Sequence, residues 1–317
     1  MAIAQITVFG GSGFIGRHIV RQLAQRGLVV RAAVRRPELA EFLRPMGDVA
    51  QVVPVQANIR HAGSVAAAIE GSQAVVNATG IQVSRGRQSF SAVHVEGARN
   101  IADAATAAGV ERLIHISGLG ADAAEEADTA FARSKIEGEK AIRGAFPSAT
   151  ILRPSVVFGP GDAFTSNLAS AARMAPFMPA IGGDHTRFQP VYVGDVAAAV
   201  LACLEQPESA GKVYELGGPT VYTMRGIASL ILEAMGGKQR IVNLPFSLAR
   251  LMGLVGQFLP NPPLTFDQAV LLEKDSVVNE ARPGLADLGL SPTAAEIILP
   301  TYLDRFRVGG RYSTHAV

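Results

Sequence analysis

The chain has 317 residues, enough for one large domain or two closely joined ones with a substantial buried core. Hydrophobic residues make up 48% and charged residues only 18%, so long disordered regions are not expected. The net charge of +2 gives no electrostatic reason to expect a nucleic-acid-binding protein. The single cysteine, Cys203, excludes an intrachain disulfide and a thiolate metal site, and the six histidines lack the spacing of metal ligands.

The N-terminus lacks a basic segment followed by an apolar one and a cleavage site, so residues 3–9 are interpreted as a first strand and not as a signal peptide. No stretch reaches ~18 uninterrupted apolar residues, and no membrane-spanning segment is predicted. One cysteine in 317 residues also favours a reducing compartment. These features favour a cytoplasmic location.

The first half of the chain alternates buried-type strands with helical stretches. The predicted strands are 3–9, 28–34, 52–55, 74–78, 112–117 and 150–153, and the predicted helices are 17–26, 64–69, 93–108 and 131–146. Strands that alternate with helices form βαβ units, which build a parallel sheet covered on both faces. The sequence therefore predicts an α/β fold, a Rossmann-type doubly wound parallel sheet.

A glycine-rich turn stands where the first strand becomes a helix. Gly10 permits the tight turn, Gly13 lets a pyrophosphate approach the backbone, and Gly16 allows close packing of helix on strand. A phosphate there meets free amide groups and the positive end of the helix dipole. The predicted cofactor-binding residues of this turn are Gly10, Ser12, Gly13, Phe14, Ile15 and Gly16.

The end of the second strand indicates which dinucleotide is bound. An NAD-preferring site usually carries an acid here, whereas residues 29–36 contain none and end in Arg35 and Arg36. A guanidinium suits the 2′-phosphate of NADP(H), because it offers permanently charged donors in a fork. NADP(H) is therefore favoured over NAD(H), against the alternative of two solvated arginines on a surface loop.

The second half has a looser pattern, with proline and glycine clusters predicted as loops at 159–161 and 176–183. Asp195 is predicted to cap a helix over 196–204, and Cys203 within it is predicted to be a core residue. Arg187 either faces a pocket or pairs with a carboxylate. We predict a nucleotide-binding domain over residues 1–155 and a smaller C-terminal substrate or docking lobe over 156–317, built over the edge of the sheet.

These motifs resemble the short-chain dehydrogenase/reductase superfamily, in its extended and atypical branches. The likeness is carried by residues 10–16, by Asn77-Ala78-Thr79-Gly80, by Ser117 and by Lys135. Asn58-Ile59 stands where many members have an Asp-hydrophobic pair that contacts adenine. The resemblance implies that Asn58, Ile59, Ala78, Thr79, Gly80, Lys135 and Pro154 contact the cofactor.

Four downstream segments resemble the atypical subfamily that contains the nucleotide-binding accessory subunit of respiratory complex I. They are residues 152–162, 187–196, 214–219 and 299–307, so the resemblance covers nearly the whole chain. It implies an NADPH-holding protein docked on the complex, with no established turnover.

Active members of the superfamily use Tyr-x-x-x-Lys, in which the tyrosine transfers a proton and the lysine lowers its pKa and binds the nicotinamide ribose. Here the motif runs from Phe131 to Lys135, and phenylalanine has no proton to transfer. General acid–base catalysis typically contributes about 10²–10⁴ in rate, so the usual reductase chemistry is expected to be severely impaired. Ser117 is then a polar remnant of the catalytic set. Two routes to activity stay open, and the sequence selects neither: Tyr192 or Ser134 could replace the tyrosine, or the reaction could be hydride transfer alone, as to a quinone.

Residues 246–259 carry an apolar stripe at helical spacing, formed by Leu248, Leu251, Met252, Val255, Phe258 and Leu259. One interpretation is a helix packed on the core of the C-terminal lobe. The other is a docking surface for a membrane or a membrane-bound partner, with a protein favoured because Arg250 is the helix's only cation. The tail over 305–311, with three arginines, would add a contact.

The sequence therefore predicts an NADP(H)-binding atypical dehydrogenase-fold protein. The resemblance implies that its role is that of a peripheral accessory or assembly subunit of NADH:ubiquinone oxidoreductase (complex I), and the expected location is cytoplasmic or peripheral on the cytoplasmic face of the inner membrane. Two alternatives stay open. One is an active NAD(P)H-dependent reductase or epimerase on a small or isoprenoid-like substrate, and the other is a nucleotide-sensing regulator.

Overall fold

The computed structural model describes residues 3–121, 129–256 and 264–307. In chain order the strands are β1 (Gln5–Phe9), β2 (Val29–Val34), β3 (Val52–Gln56), β4 (Ala74–Asn77), β5 (Arg112–Ile116), β6 (Thr150–Pro154), β7 (Val157–Phe158), β8 (Phe177–Ile181), β9 (Arg187–Phe188), β10 (Val191–Tyr192), β11 (Val213–Leu216), β12 (Tyr222–Thr223) and β13 (Arg240–Leu244). The helices are α1 (Phe14–Gln25), α2 (Ala62–Ile69), α3 (Gly97–Ala107), α4 (Ala130–Ala145), α5 (Phe164–Met174), α6 (Val193–Glu205), α7 (Met224–Met235), α8 (Phe246–Gly256), α9 (Phe266–Leu271) and α10 (Ala295–Leu303).

Seven strands form one parallel sheet in the order β3-β2-β1-β4-β5-β6-β11. Its central strands are apolar on both faces, as in β4, where Ala74, Val75 and Val76 are fully buried. Helices α2, α3 and α4 contribute to a core with Phe9, Ile101 and Leu113, while α1 packs against α6. The strand order reverses between β1 and β4, which is the switch point of a doubly wound fold. The predicted Rossmann-type architecture is confirmed.

Two predictions for the second half are wrong. Helix α6 begins at Val193, so Asp195 lies inside its first turn and is not the cap; an acid near a helix N-terminus is favourable in either position. Residues 177–181, predicted as part of a loop, form β8, which pairs in parallel with β13. Pro179 is tolerated there because both strands of a two-stranded sheet are edge strands.

The chain divides into two compact units. The first contains the described residues of Met1–Pro154, Val193–Leu216 and Asn279–Ser291, and the second contains those of Ser155–Tyr192, Gly217–Val278 and Pro292–Val317. The first boundary falls beside the predicted one at residues 155 and 156. The units are nevertheless not consecutive stretches, because the chain returns to the first unit to add α6 and β11 to it.

The second unit has its own core, in which α5, α7 and α10 surround residues such as Phe158 and Ile231. Asp162 is buried and accepts hydrogen bonds from the Thr165 amide (2.7 Å) and the Tyr302 hydroxyl (2.7 Å), which ties α10 to the start of α5. In the same unit Arg187 pairs with Asp275 at 2.7 Å, which decides between the two interpretations of that arginine.

Cys203 lies in the first unit and is fully buried, as predicted for a core residue, and burial raises the pKa of its thiol to about 12.

Candidate nucleotide-binding site

The glycine turn between β1 and α1 has the backbone shape that the sequence predicts. Gly10 has a φ of +76°, and a β-carbon there would lie 2.8 Å from the Ala78 carbonyl oxygen. A β-carbon at Gly16 would overlap the carbonyl oxygen of Gly10. Gly13 stands at the N-cap of α1 with no side chain to cap the helix, so the first amide groups of α1 are available to an anion.

The glycine turn lies beside the end of β2, because the Gly10 amide donates to the Ala33 carbonyl at 3.0 Å. Arg35 and Arg36 follow two and three residues later. Both side chains are exposed, and neither forms a hydrogen bond or an ion pair within the described ranges. This end of the sheet therefore offers two free guanidinium groups next to the turn.

Arg17 is a third arginine at this turn, and sequence reasoning missed it. Its guanidinium donates to the backbone oxygens of Gly13 (3.1 Å) and Ser12 (3.3 Å) and lies 5.5 Å from the ring centroid of Phe42. The sequence did contain a signal for Arg17, because a residue four positions after Gly13 lies one helical turn along α1 and on the same side as the glycine turn.

The predicted adenine contact, Asn58-Ile59, lies beyond the end of β3. The Asn58 side-chain oxygen already accepts from Arg60, at 3.2 Å from the amide and 3.3 Å from Nε. The carbonyl of Ile59 accepts from Asn100 at 2.8 Å. A contact of Asn58 with a base therefore depends on its side-chain amide nitrogen as donor.

Asn77 organises the turn at the end of β4. Its buried side-chain oxygen accepts from the amide (3.1 Å) and the hydroxyl of Thr79, which fixes the segment from Ala78 to Gly80. Its amide nitrogen lies 3.0 Å from Nδ1 of His115. The amide nitrogen of Asn77 can only donate, so Nδ1 of His115 is the acceptor. The neutral His115 ring therefore carries its proton on Nε2. Burial lowers the pKa of His115 to about 3, and the charge of Lys135 contributes.

Lys135 of α4 lines a small pocket together with Asn77, Thr79 and His115. Its Nζ lies 3.7 Å from where a β-carbon of Gly80 would stand, and it forms no hydrogen bond or ion pair with any described residue. The nearby carboxylate of Glu139 is occupied by Arg153 in a bidentate pair at 3.0 and 2.8 Å. Burial lowers the pKa of Lys135 to about 8, opposed by the charge of Glu139. This amine is available to a ligand.

The remaining predicted catalytic positions are Ser117 and Phe131. The Ser117 hydroxyl is buried and has no hydrogen-bond partner in the part of the chain that the structure describes. The Phe131 ring stands edge-on to Phe90 and to His94, each at a centroid distance of 5.6 Å. Pro154, at the end of β6, accepts from the Leu119 amide at 3.2 Å. Among the described residues, the Ser117 hydroxyl therefore lacks a hydrogen-bond partner, and the position of the usual tyrosine holds a phenylalanine without a transferable proton.

These residues fit a dinucleotide. In a doubly wound sheet the ligand lies across the carboxyl ends of the strands at the switch point, here between β1 and β4. The glycine turn and the arginines lie on the β1–β2 side, and the segments after β4 and β5 lie with Lys135 on the other. A bound nicotinamide nucleotide would supply a hydride acceptor or donor.

Comparison with known proteins identifies the family of the chain. Residues 6–217 match the NAD dependent epimerase/dehydratase family. The chain is 35% identical over 316 residues to the NADH dehydrogenase [ubiquinone] 1 alpha subcomplex subunit 9, mitochondrial, of Arabidopsis thaliana, covering 96% of this chain and 78% of that protein. It is 34% identical over 244 residues to the ceramide reductase of Caulobacter vibrioides, covering 76% and 73%.

The solved structure of MoeE5 in complex with UDP-glucose and NAD has the same fold, with a TM-score of 0.71 at 18% identity over 95% of this chain and 97% of that chain. The family match and the relatives together confirm the resemblance seen in the sequence. This chain belongs to the NAD-dependent epimerase/dehydratase family, among the NAD(P)-binding proteins of the short-chain dehydrogenase/reductase superfamily.

Proposed function

We propose that this chain holds NADP(H) as a peripheral accessory or assembly subunit of NADH:ubiquinone oxidoreductase, without the usual reductase turnover. The proposal rests on one observation: the site keeps polar groups that suit the cofactor but lacks the proton donor that catalysis needs. Arg35 beside the glycine turn, Ser117 after β5 and Lys135 on α4 carry polar groups that have no hydrogen-bond partner among the described residues and suit phosphate and ribose, whereas Phe131 occupies the position of the proton donor.

The preference for NADP(H) over NAD(H) rests on the end of β2. A 2′-phosphate there would meet Arg35 and Arg36, which have no competing carboxylate between residues 29 and 36. Charge-assisted hydrogen bonds from guanidinium groups are roughly twice as strong as neutral ones and match the geometry of a phosphate. An acid that would bind free ribose hydroxyls is missing from the same segment.

The loss of turnover rests on the groups around Phe131. Ser134, one of the candidates to replace the tyrosine, donates its hydroxyl proton to the Phe131 carbonyl at 2.7 Å and contacts His94 at 2.8 Å. His94 is neutral, because burial lowers its pKa to about 3, with the charge of Lys135 contributing. Neither side chain is poised to give a proton to a substrate near neutral pH.

The docking role rests on a surface of the second unit. Helix α8 packs on the start of α9 through its small residues, since Ala249, Gly253 and Gly256 are buried and a β-carbon at Gly253 would lie 2.7 Å from the Thr265 backbone. Its large apolar residues are left exposed. The α8 surface consists of Leu248, Leu251, Met252, Leu254 and Val255, together with Phe266 of α9.

The chemistry of the α8 surface favours a protein partner over anionic lipid. Arg250 is bound to Glu273 by two contacts of 2.5 Å, so its charge is compensated. Phe258 and Leu259, predicted to extend the stripe, and the tail beyond residue 307 lie outside the described residues. An exposed apolar patch of this kind marks an interaction site.

The partner we propose is a membrane-bound part of complex I, because relatives of the chain are named as subunits of that enzyme. No helix among the described residues is long and apolar enough to cross a bilayer. The proposal places the protein at the cytoplasmic face of the inner membrane; the relatives are themselves named as mitochondrial.

An active NADPH-dependent reductase is the second candidate. A relative that is 34% identical over 76% of this chain is named as a ceramide reductase. The Lys135 amine, with a pKa of about 8, is the group in the pocket that could exchange a proton near neutral pH. In this version Lys135 would act in place of the missing tyrosine.

The cofactor part of the proposal is tested by titrating the purified chain with NADPH and with NADH, and by repeating both titrations on R35A/R36A. Loss of charge-assisted bonds to a phosphate should weaken NADPH about 100-fold and NADH less than about threefold. Arg143→Ala, at an exposed position in the last turn of α4, is the matched control and should change neither affinity. Equal weakening of both nucleotides by R35A/R36A would refute the 2′-phosphate role.

A further inference from the structure

His94 lies in the wide, π-helical turn over Ser91–Glu96 that precedes α3, a kind of turn often found at functional sites. Both of its ring nitrogens are used. Nε2 accepts the Ile81 amide proton at 3.0 Å, so the neutral ring carries its own proton on Nδ1. Nδ1 donates to the Ser134 hydroxyl at 2.8 Å.

This ring joins two segments that are far apart in the chain. Ile81 follows the Ala78-Thr79-Gly80 segment at the end of β4, and Ser134 precedes Lys135 on α4. The segments converge closely, because a β-carbon at Gly80 would lie 3.8 Å from His94 Nε2 and 3.7 Å from Lys135 Nζ. His94 therefore sets the distance between the turn after β4 and the lysine.

The imidazole is held on its faces as well as at its nitrogens. Phe90 stacks on it at a centroid distance of 5.5 Å, and Phe131 meets it edge-on at 5.6 Å. The His94 carbonyl packs directly against Gly138 of α4, where any side chain would overlap it. Burial keeps the ring neutral, as the acceptor role of Nε2 requires.

The segments that His94 joins belong to one half of the cofactor site. The strand order reverses between β1 and β4, so the halves of a dinucleotide diverge, one toward β2 and one toward β4 and β5. The arginines at β2 suit the 2′-phosphate of the adenosine half. The nicotinamide half therefore falls to the turn after β4, Ser117 and Lys135.

We propose that His94 is a positioning residue for the nicotinamide half of the nucleotide, acting through Ile81 and Ser134 and not by touching the ligand. The inference rests on the proposed nucleotide binding and goes beyond it, because it gives a named residue control over one half of the site only. The adenosine half does not depend on this residue.

The test compares two probes, NADPH and 2′,5′-ADP, which lacks the nicotinamide half. His94→Leu removes both hydrogen bonds and should weaken NADPH about tenfold, while 2′,5′-ADP stays within about twofold of the parent value. His94→Gln can place its side-chain oxygen near the position of Nε2 and should recover part of the NADPH affinity. Ser134→Ala removes the hydrogen bond between His94 and α4, and this variant takes the place of His94→Leu in the test if His94→Leu fails to fold.

Nucleotide affinity is measured by calorimetry, and the fluorescence of bound NADPH reports the surroundings of the nicotinamide ring. Selective loss of NADPH affinity with a changed emission is the expected result. Unchanged NADPH affinity in His94→Leu or Ser134→Ala would overturn the inference, and so would parallel loss of both probes. A parent protein that binds neither probe would instead overturn the proposed function, and this inference with it.

Discussion

Within the described residues, the nucleotide site of the first unit leaves side-chain groups without a hydrogen bond and the α8 surface of the second leaves side chains exposed, but the groups have opposite chemistry. At the sheet edge they are polar, namely Arg35, the Ser117 hydroxyl and the Lys135 amine. On α8 they are large and apolar, and Val255 is 63% exposed. Unsatisfied polar groups in a pocket suit a small charged ligand, whereas an apolar patch suits a macromolecular partner. The two regions should therefore respond to different mutations.

The largest expected effect comes from restoring the proton donor at residue 131. Phe131→Tyr should raise the rate of NADPH oxidation by about 10²–10⁴ over the parent with a panel of small ketones, aldehydes and quinones, followed at 340 nm. Binding to the respiratory complex should not change. Phe90→Tyr adds a hydroxyl to the neighbouring ring of the same cluster and should gain no activity. A parent that already turns over as fast as Phe131→Tyr would favour the reductase alternative.

The second prediction concerns the α8 surface. L251D/V255D puts two carboxylates at exposed apolar positions and should weaken association with the complex by about 100-fold, because truncating an interface anchor typically costs ≥ ~2 kcal/mol. NADPH affinity should remain that of the parent. M174D/I297D makes the same change at exposed positions of α5 and α10 and is the matched control. Equal loss in both double variants, or no loss in the first, would contradict the assignment of this surface.

Lys135 supplies the third prediction. Lys135→Met should weaken NADPH about tenfold, because the site loses a charge-assisted donor. In the parent, NADPH affinity should fall as pH rises through about 8, where the amine loses its proton, and this dependence should vanish in Lys135→Met. Lys140→Met, at an exposed position of α4, is the control. A parent affinity that stays flat between pH 7 and 9.5 would show that the ammonium does not contribute.

The last prediction concerns the stability of the fold. His94 and His115 have pKa values lowered to about 3 from 6.5, so the unfolded chain binds more protons than the folded one between those values. The free energy of unfolding should therefore decrease as pH falls below about 6.5, by up to ~1.4 kcal/mol per pH unit for each histidine. Urea unfolding from pH 7 to 4.5 measures the slope. His115→Gln should flatten it, whereas His61→Gln, at an exposed position, should leave it unchanged.

The sheet and its glycine turn could be predicted from sequence because their signals are local. Alternating apolar strands and helices, with Gly10, Gly13 and Gly16 between β1 and α1, define the architecture. The role of Pro179 in a strand could not be predicted, since it depends on pairing with β13, about sixty residues later. The return of α6 and β11 to the first unit depends on a similar long-range pairing.

The candidate site divides in the same way. Residues of the glycine turn and the Phe131 replacement follow from motifs, and their roles stay predictions. His94 carried no signal, because its importance lies in contacts with Ile81 and Ser134, thirteen and forty residues away. The stripe on α8 was visible as a pattern, but its exposure depends on the small residues Ala249 and Gly253 taking the buried face.

We propose that the chain is a nucleotide-holding subunit and not a free enzyme. The most direct measurement is a gentle-detergent pull-down of the tagged chain from its native membranes, with the co-purifying proteins identified by mass spectrometry and the bound NADP(H) quantified. We expect complex I subunits in near-equal amounts and one nucleotide for each copy of the chain. Recovery of the chain alone from the soluble fraction would contradict it and favour a free NADPH-dependent enzyme.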